Sequence, residues 1–280
     1  MKITKVDALA EKARKIRIDL LQEVYYGKSG HIGSSLSCAD ILAVLYFNEM
    51  NIDPQDPKAE SRDRFVLSKG HASEALYATL AERGYFPKED LITFRHIDSP
   101  LQGHPDMNKV PGVDMTTGSL GQGLSAANGM AIASKIDKQG FRVYCLMGDG
   151  ELEEGQVWEA AMTSSQYELD NICAIIDCNG LQLTGKTEEI KSLNHESIEQ
   201  KFRSFGFNTI VIDGMVGKPS PTAIWKLLTA QSVLISAHSS VRECSRFRPC
   251  ISAPLLTRWK SGESKPFSEI STGIFVQPTA

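Results

Sequence analysis

The chain has 280 residues, 41% of them hydrophobic, enough to bury a sizeable core as one large domain or two small ones. Its formal charge of −4 is uneven: residues 1–214 hold 22 Lys+Arg and 31 Asp+Glu (22 − 31 = −9), while 215–280 hold 8 Lys+Arg and 3 Glu (8 − 3 = +5). The acidic part excludes gripping nucleic acid by bulk charge, and no run reaches the roughly 18 apolar residues of a membrane span.

In chain order, "TKVDALAEKARKIRIDLLQEVYY" has apolar residues at helical spacing and predicts a long helix. Near its start, Asp7 and Glu11 argue against a transit peptide, and no signal-peptide core is present. Glycines at 27, 30 and 33 predict a loop, "GKSGHIGSS", after which Ser37 is placed to cap the helix "CADILAVLYFNEM". "NIDPQDPKAESRD" is a polar, proline-broken connection. "RFVLS" predicts a strand, "KGH" a turn, and "ASEALYATLAERG" a helix closed by Gly84. "TTGSLGQG" reads as a glycine-rich loop before the small-residue helix "LSAANGMAIASKI". "FRVYCLM" and "NICAIID" predict buried strands flanking the helix "GQVWEAAMTSSQYE". Strands alternating with helices imply an α/β fold, a doubly wound, mostly parallel sheet with helices on both faces. The six cysteines (38, 145, 173, 178, 244, 250) form no CxxC pair. Cys145 and Cys173 fall inside apolar strands and read as small core hydrophobes, which suits a reducing, cytoplasmic setting.

In such sheets ligands lie beyond the carboxyl ends of the strands. Asp149, Asn179 and His71 each follow a predicted strand. Asp149 and Asn179 are 30 positions apart, one strand–helix–strand unit. If those strands are neighbours, two hard oxygens meet at one point and suit Mg²⁺ or Ca²⁺, whose remaining ligands commonly come from a substrate diphosphate. Gly148 and Gly150 let backbone approach phosphate, and the following helix N-terminus favours the anion. Glu151 and Glu153 read as first-turn acids complementing the helix dipole. His31, His71 and His104 sit in glycine-containing turns, "SGHIG", "KGHAS" and "QGHPD", which can present an imidazole to hydroxyls, phosphate or protons. His96 reads as structural, and His195 and His238 as solvated.

"GDGELEEGQVWEA…DNICAIIDCNGLQLTG" resembles the thiamine-diphosphate motif of the transketolase family, and "SGHIGSSLS", "RDRFVLSKGHASEALYATLAERGYF", "QGHPD" and "TTGSLGQGLS" are similar to its flanking stretches. The resemblance runs from about residue 5 to Gly214 and is to the N-terminal subunit of split transketolases. It implies that Asp149, Asn179 and the Leu181 carbonyl hold Mg²⁺ (or Ca²⁺), and that Gly148, Gly150 and His71 lie at the diphosphate. It implies that the Gly118, Ser119 and Leu120 backbone lines the cofactor pocket, that His31 and His104 face the sugar, and that Glu154 stands in the proton-relay region at the subunit interface. The implied chemistry is transfer of a two-carbon ketol unit between sugar phosphates, with thiamine diphosphate as electron sink. The implied partner is a C-terminal, pyrimidine-binding subunit, in a dimer or heterotetramer. The alternatives are half of another thiamine enzyme, a deoxyxylulose-phosphate synthase or 2-oxo acid dehydrogenase component, or a non-catalytic product.

After Gly214 the sequence departs from the family. Residues 215–280 hold eleven Ser, six Pro and no Asp, and read as a divergent, poorly ordered tail in which the family's last strand is expected to be missing.

Overall fold

The structure is a computed structural model in which residues 2–191, 193–213 and 232–237 are described. Residues Met1–Ser239 form one compact unit.

Its centre is a five-stranded parallel sheet of β1 (Arg64–Leu67), β2 (Val143–Gly148), β3 (Ile172–Cys178), β6 (Asn208–Asp213) and β7 (Ser232–Ala237), in the order β1-β2-β3-β7-β6. β2 and β3 are buried along nearly their whole length, as expected of strands covered on both faces. The pleat divides their side chains. Tyr144, Leu146, Cys173 and Ile175 join Phe65 and Leu67 under one helical layer. Val143, Cys145, Met147, Ile172, Ala174 and Ile176 join Val66 under the other.

The first layer is α1 (Val6–Gly27), α3 (Ala39–Val44) and α4 (Ser73–Arg83). α1 buries Leu9, Ala13, Ile16 and Leu20 along one stripe, and Glu23 continues that stripe into the core. Gly84, at φ 97°, closes α4 in the left-handed conformation. The second layer is α5 (Gly123–Ile136), α6 (Gly155–Gln166) and α7 (His195–Ser204).

Three local expectations are corrected. Most of the predicted glycine loop is helical, because α2 (Ile32–Ser37) begins directly after His31. Ser37 therefore ends α2 instead of capping α3. Its hydroxyl bonds the Ser34 carbonyl at 3.0 Å and the Asp177 carboxylate. Third, β7 arises inside the segment assigned to the tail. It pairs with β3 (Cys173↔Ser232) and with β6 (Asn208↔Ser232), so the sheet keeps a strand that the composition of the segment argued against. "SVLISA" is a short apolar run, too short to separate strand from helix by periodicity. The suspected helix "PTAIWKLLTAQ" and the segment beyond 237 lie outside the described residues.

Candidate active site

The strand ends converge as the spacing requires. β2 and β3 are neighbours in register, Gly148 opposite Asp177. The Asp149 carboxylate accepts from the Gly150 N–H at 2.9 Å and, across the strand gap, from the Gly180 N–H at 2.7 Å. Asn179 bonds its own turn, its Oδ1 accepting from the Leu181 N–H at 3.0 Å. Leu181 opens a short hairpin of β4 (Leu181–Gln182) and β5 (Gly185–Lys186). A Cβ on Gly150 would stand 2.9 Å from Gln182 Cβ, so only glycine lets this hairpin close over the loop. The helix does not start at that loop: a 3₁₀ turn, Gly150–Glu153, intervenes before α6, whose N-cap is Glu154.

Asp149 is only 2% exposed, and burial pushes its pKa up to about 6 despite the two N–H donors. Among the described residues no three His, Cys, Asp or Glu side chains form a metal cage. Asp149, Asn179 and Leu181 would offer a cation one carboxylate, one amide oxygen and one carbonyl, a sparse oxygen set. That fits a hard divalent ion completed by a ligand diphosphate.

The three glycine-turn histidines come together at the mouth beside this point. The His31 and His71 ring centroids are 5.1 Å apart. A Cβ on Gly118, whose φ is 152°, would lie 3.2 Å from the His104 ring, placing the Gly118–Leu120 loop against that histidine. His31 and His104 are exposed; His71 is half-buried, 2.9 Å from the Ser34 hydroxyl. Burial, Lys69 and the other two histidines lower His71 to about 4, so its imidazole is neutral at pH 7. Burial, His31 and Arg95 lower His104 as well. Glu154 is packed below Gly121 at the start of α6. His96 is exposed and outside this cluster.

Four buried groups are not legible from the sequence. Lys69 and Asp177, 1% and 0% exposed at the side chain, form an ion pair at 2.5 Å. Lys69 also donates to the Ser34 carbonyl at 2.8 Å. Burial works against the Lys69 charge, but Asp177 outweighs it and the pKa ends above the ordinary amine value. Glu74, fully buried in α4, accepts from the His31 N–H at 2.8 Å and the Ser35 hydroxyl at 2.7 Å, fixing the His31 turn from behind. Glu151 is not a solvated first-turn acid. It is 3% exposed and ties three loops, accepting from the Ser68 hydroxyl, the Gly121 N–H at 2.8 Å and the Gly148 N–H at 3.1 Å. The available signal was a charge inside an apolar context: "IIDCN" ends a buried strand on an aspartate.

The family described as "Transketolase, thiamine diphosphate binding domain" matches residues 7–230, reaching past Gly214. The chain is 47% identical over 209 residues, 75% of this chain and 73% of the other, to an apulose-4-phosphate transketolase subunit of Phocaeicola vulgatus. It is 48% identical over 206 residues, 74% of each chain, to the 6-deoxy-6-sulfo-D-fructose transketolase subunit SqwG of a Clostridium species. The crystal structure of transketolase from Campylobacter jejuni superposes with a TM-score of 0.76 at 32% identity, over 84% of this chain and 38% of that one. The strand-end oxygens, the histidine mouth and these likenesses agree: the chain belongs to the transketolase family of transferases, as its thiamine diphosphate-binding N-terminal part.

Proposed function

We propose that the chain is the diphosphate-binding subunit of a two-chain transketolase, moving a two-carbon ketol unit between sugar phosphates. The observation that carries this reading is the Asp149–Gly180 bond at 2.7 Å, which ties the Asp149 loop to the turn of Asn179 and Leu181. Mg²⁺ or Ca²⁺ would rest between them and hold the diphosphate, with Gly148, Gly150 and His71 against it and Gly118, Ser119 and Leu120 along the pocket. Bound thiamine diphosphate supplies a nucleophilic carbon and an electron sink.

The protein's own part is positioning and proton handling. His31 and His104, exposed at the mouth, bond sugar hydroxyls and relay protons. Glu74 holds the His31 turn, and neutral His71 presents a hydrogen bond without adding charge beside Lys69. Glu154 stands where a pyrimidine-binding subunit would complete the site in a dimer or heterotetramer. The similarity to proteins named as transketolase subunits favours ketol transfer over pyruvate decarboxylation. It also favours an active subunit over a non-catalytic product. The four cysteines among the described residues are free and buried, which suits a reducing cytoplasm. No described helix is long and apolar enough to cross a membrane. The domain comprises residues 1–214 completed by β7, with the rest of 215–280 as a divergent tail.

The test is reconstitution. Mixed with its pyrimidine-binding partner, the chain should transfer ketol units between sugar phosphates and release no carbon dioxide from pyruvate. Decarboxylation without ketol transfer would replace this reading with the other thiamine chemistry.

A further inference from the structure

The chain has two Asn–Gly pairs, Asn128–Gly129 and Asn179–Gly180. An asparagine before a glycine is open to attack on its own side chain, because the next backbone nitrogen has no Cβ beside it to obstruct the approach. Whether the attack happens depends on how the fold holds the two groups. Asn128 is held against it. It is 3% exposed inside α5, its Nδ2 donates to the Ala160 carbonyl at 2.8 Å, and its Oδ1 accepts from the Ser164 hydroxyl at 2.7 Å.

Asn179 is held ready for it. Its Oδ1 accepts from the Leu181 N–H at 3.0 Å, which folds the side chain back along the main chain beside the Gly180 nitrogen. The same N–H stands where an oxyanion developing on that amide would need a donor. The Gly180 N–H donates to the Asp149 carboxylate at 2.7 Å, within the reach of a general base. Gly180 is exposed, at φ 74°, so water reaches the turn. The Thr187 N–H donates to the Gly180 carbonyl at 3.2 Å and fixes the arrangement. Nucleophile, base and oxyanion donor thus meet at one peptide unit of the chain itself.

We propose that Asn179–Gly180 is a self-modification site: in the metal-free chain Asp149 drives closure of Asn179 onto the Gly180 nitrogen, and a cation shared by Asp149 and Asn179 prevents it. Asp149 takes the Gly180 N–H proton as that nitrogen bonds Asn179 Cγ. The Cγ–Nδ2 bond then breaks, the proton passes from Asp149 to the departing nitrogen, and ammonia leaves a five-membered imide behind. Water opens the imide at either carbonyl, giving aspartate or isoaspartate at position 179 with no oxidant or other co-reactant. Either product sets a second carboxylate beside Asp149, and isoaspartate also adds a methylene to the main chain ahead of Leu181. A cation on Asp149 and Asn179 would occupy the base and draw off the amide oxygen. The closure stands on its own, whereas the protection rests on the cation site proposed above. The chain would therefore age while empty and keep its site while loaded.

The test incubates the full chain with EDTA and, in parallel, with Mg²⁺ and thiamine diphosphate. Both Asn–Gly peptides are followed by mass spectrometry and isoaspartate labelling. In EDTA, product should build up at 179 and stay absent at 128. Asp149→Asn should slow it by about 100-fold, the low end of a positioned base's worth. Gly180→Ala should slow it as well, and its Cβ would meet nothing within 4 Å. Asn128 reports on the fold, since unfolding frees both pairs alike. Product at 179 no faster than at 128, or as fast in a folded Asp149→Asn chain as in the wild type, overturns the inference. If Asp149→Asn lets 128 react, that variant has unfolded, and a wild-type rate in Gly180→Ala overturns the inference in its place. Mg²⁺ with thiamine diphosphate should suppress the product. Ageing at the full rate while calorimetry shows the cofactor bound overturns the protection. No cofactor binding at all overturns the cofactor reading and leaves the closure standing on the EDTA arm.

Discussion

The Asp149 side and the histidine side of the mouth adjoin the same strand ends but are built in opposite ways. The Asp149 side is local: Asp149 and Asn179 follow adjacent strands whose register is set by backbone pairing, Gly148 opposite Asp177. The histidine side is assembled from three distant turns, at 31, 71 and 104, held by side chains: Glu74 behind His31, Ser34 and Lys69 around His71, and the Gly118 loop against His104. A register is robust to most single substitutions. A side-chain scaffold fails wherever a buried polar group loses its partner.

That contrast orders the expected effects. The largest should come from the pair that joins the two sides. Lys69→Met leaves Asp177 buried without its cation, and should cost about 3–5 kcal/mol by denaturant titration. Lys69→Met combined with Asp177→Leu should recover much of that. A double variant as unstable as the single would mean that the ion pair is not the joint between the sides.

Next comes a divided effect on function. Asp149→Ala should weaken thiamine diphosphate binding by roughly 100-fold or more, since even outer partners of metal sites cost 10–100-fold. His104→Ala should leave that affinity nearly intact while lowering turnover by roughly 100-fold or more, the usual worth of a positioned proton donor or acceptor. Comparable loss of cofactor affinity in both would erase the distinction between the two sides.

A smaller effect concerns Glu23. It is fully buried on the apolar stripe of α1, and neither carboxyl oxygen has a partner among the described residues. Burial, and then Glu74, raise its pKa well above the usual range. Glu23→Leu should therefore stabilise the cofactor-free chain by about 1–3 kcal/mol. A destabilised variant would show that the carboxyl is satisfied in solution.

The smallest concerns His71. Its folded pKa of about 4 lies below the ordinary histidine value, so between about 6.5 and 4 the unfolded chain takes up a proton that the folded chain does not. The stability contributed by a neutral His71 is therefore present above this window and lost as pH falls through it. In the cofactor-free chain, ring-carbon NMR shifts of His71 should stay at their neutral values down to about pH 5. Titration near 6.5 would mean that the histidine side is open to water.

These differences also explain what could be read from residues alone. β1, β2 and β3, their order along the chain and the Asp149–Asn179 pair follow from apolar runs and a 30-residue interval, because parallel pairing turns chain spacing into spatial proximity. The resemblance adds roles for His31, His71, His104 and Glu154. Glu74, Lys69 and Asp177 escaped because their partners lie tens of positions away, and no periodicity encodes which buried charge meets which. Glu151 escaped because a first-turn acid and a buried strut look alike until Ser68 and Gly121 are placed beside it. β7 is not legible because its pairing with β3 and β6 is set by the rest of the sheet and not by its own short text.

The proposed cofactor site depends on a cation held between Asp149 and Asn179 that would link the protein to a diphosphate. Calorimetric titration of thiamine diphosphate into the purified chain, with Mg²⁺ and again with EDTA, tests this most directly. Binding is expected with the metal, and its loss with the chelator and in Asp149→Ala. Equal affinity in Mg²⁺ and EDTA, or an Asp149→Ala chain that binds as tightly as the wild type, would contradict it.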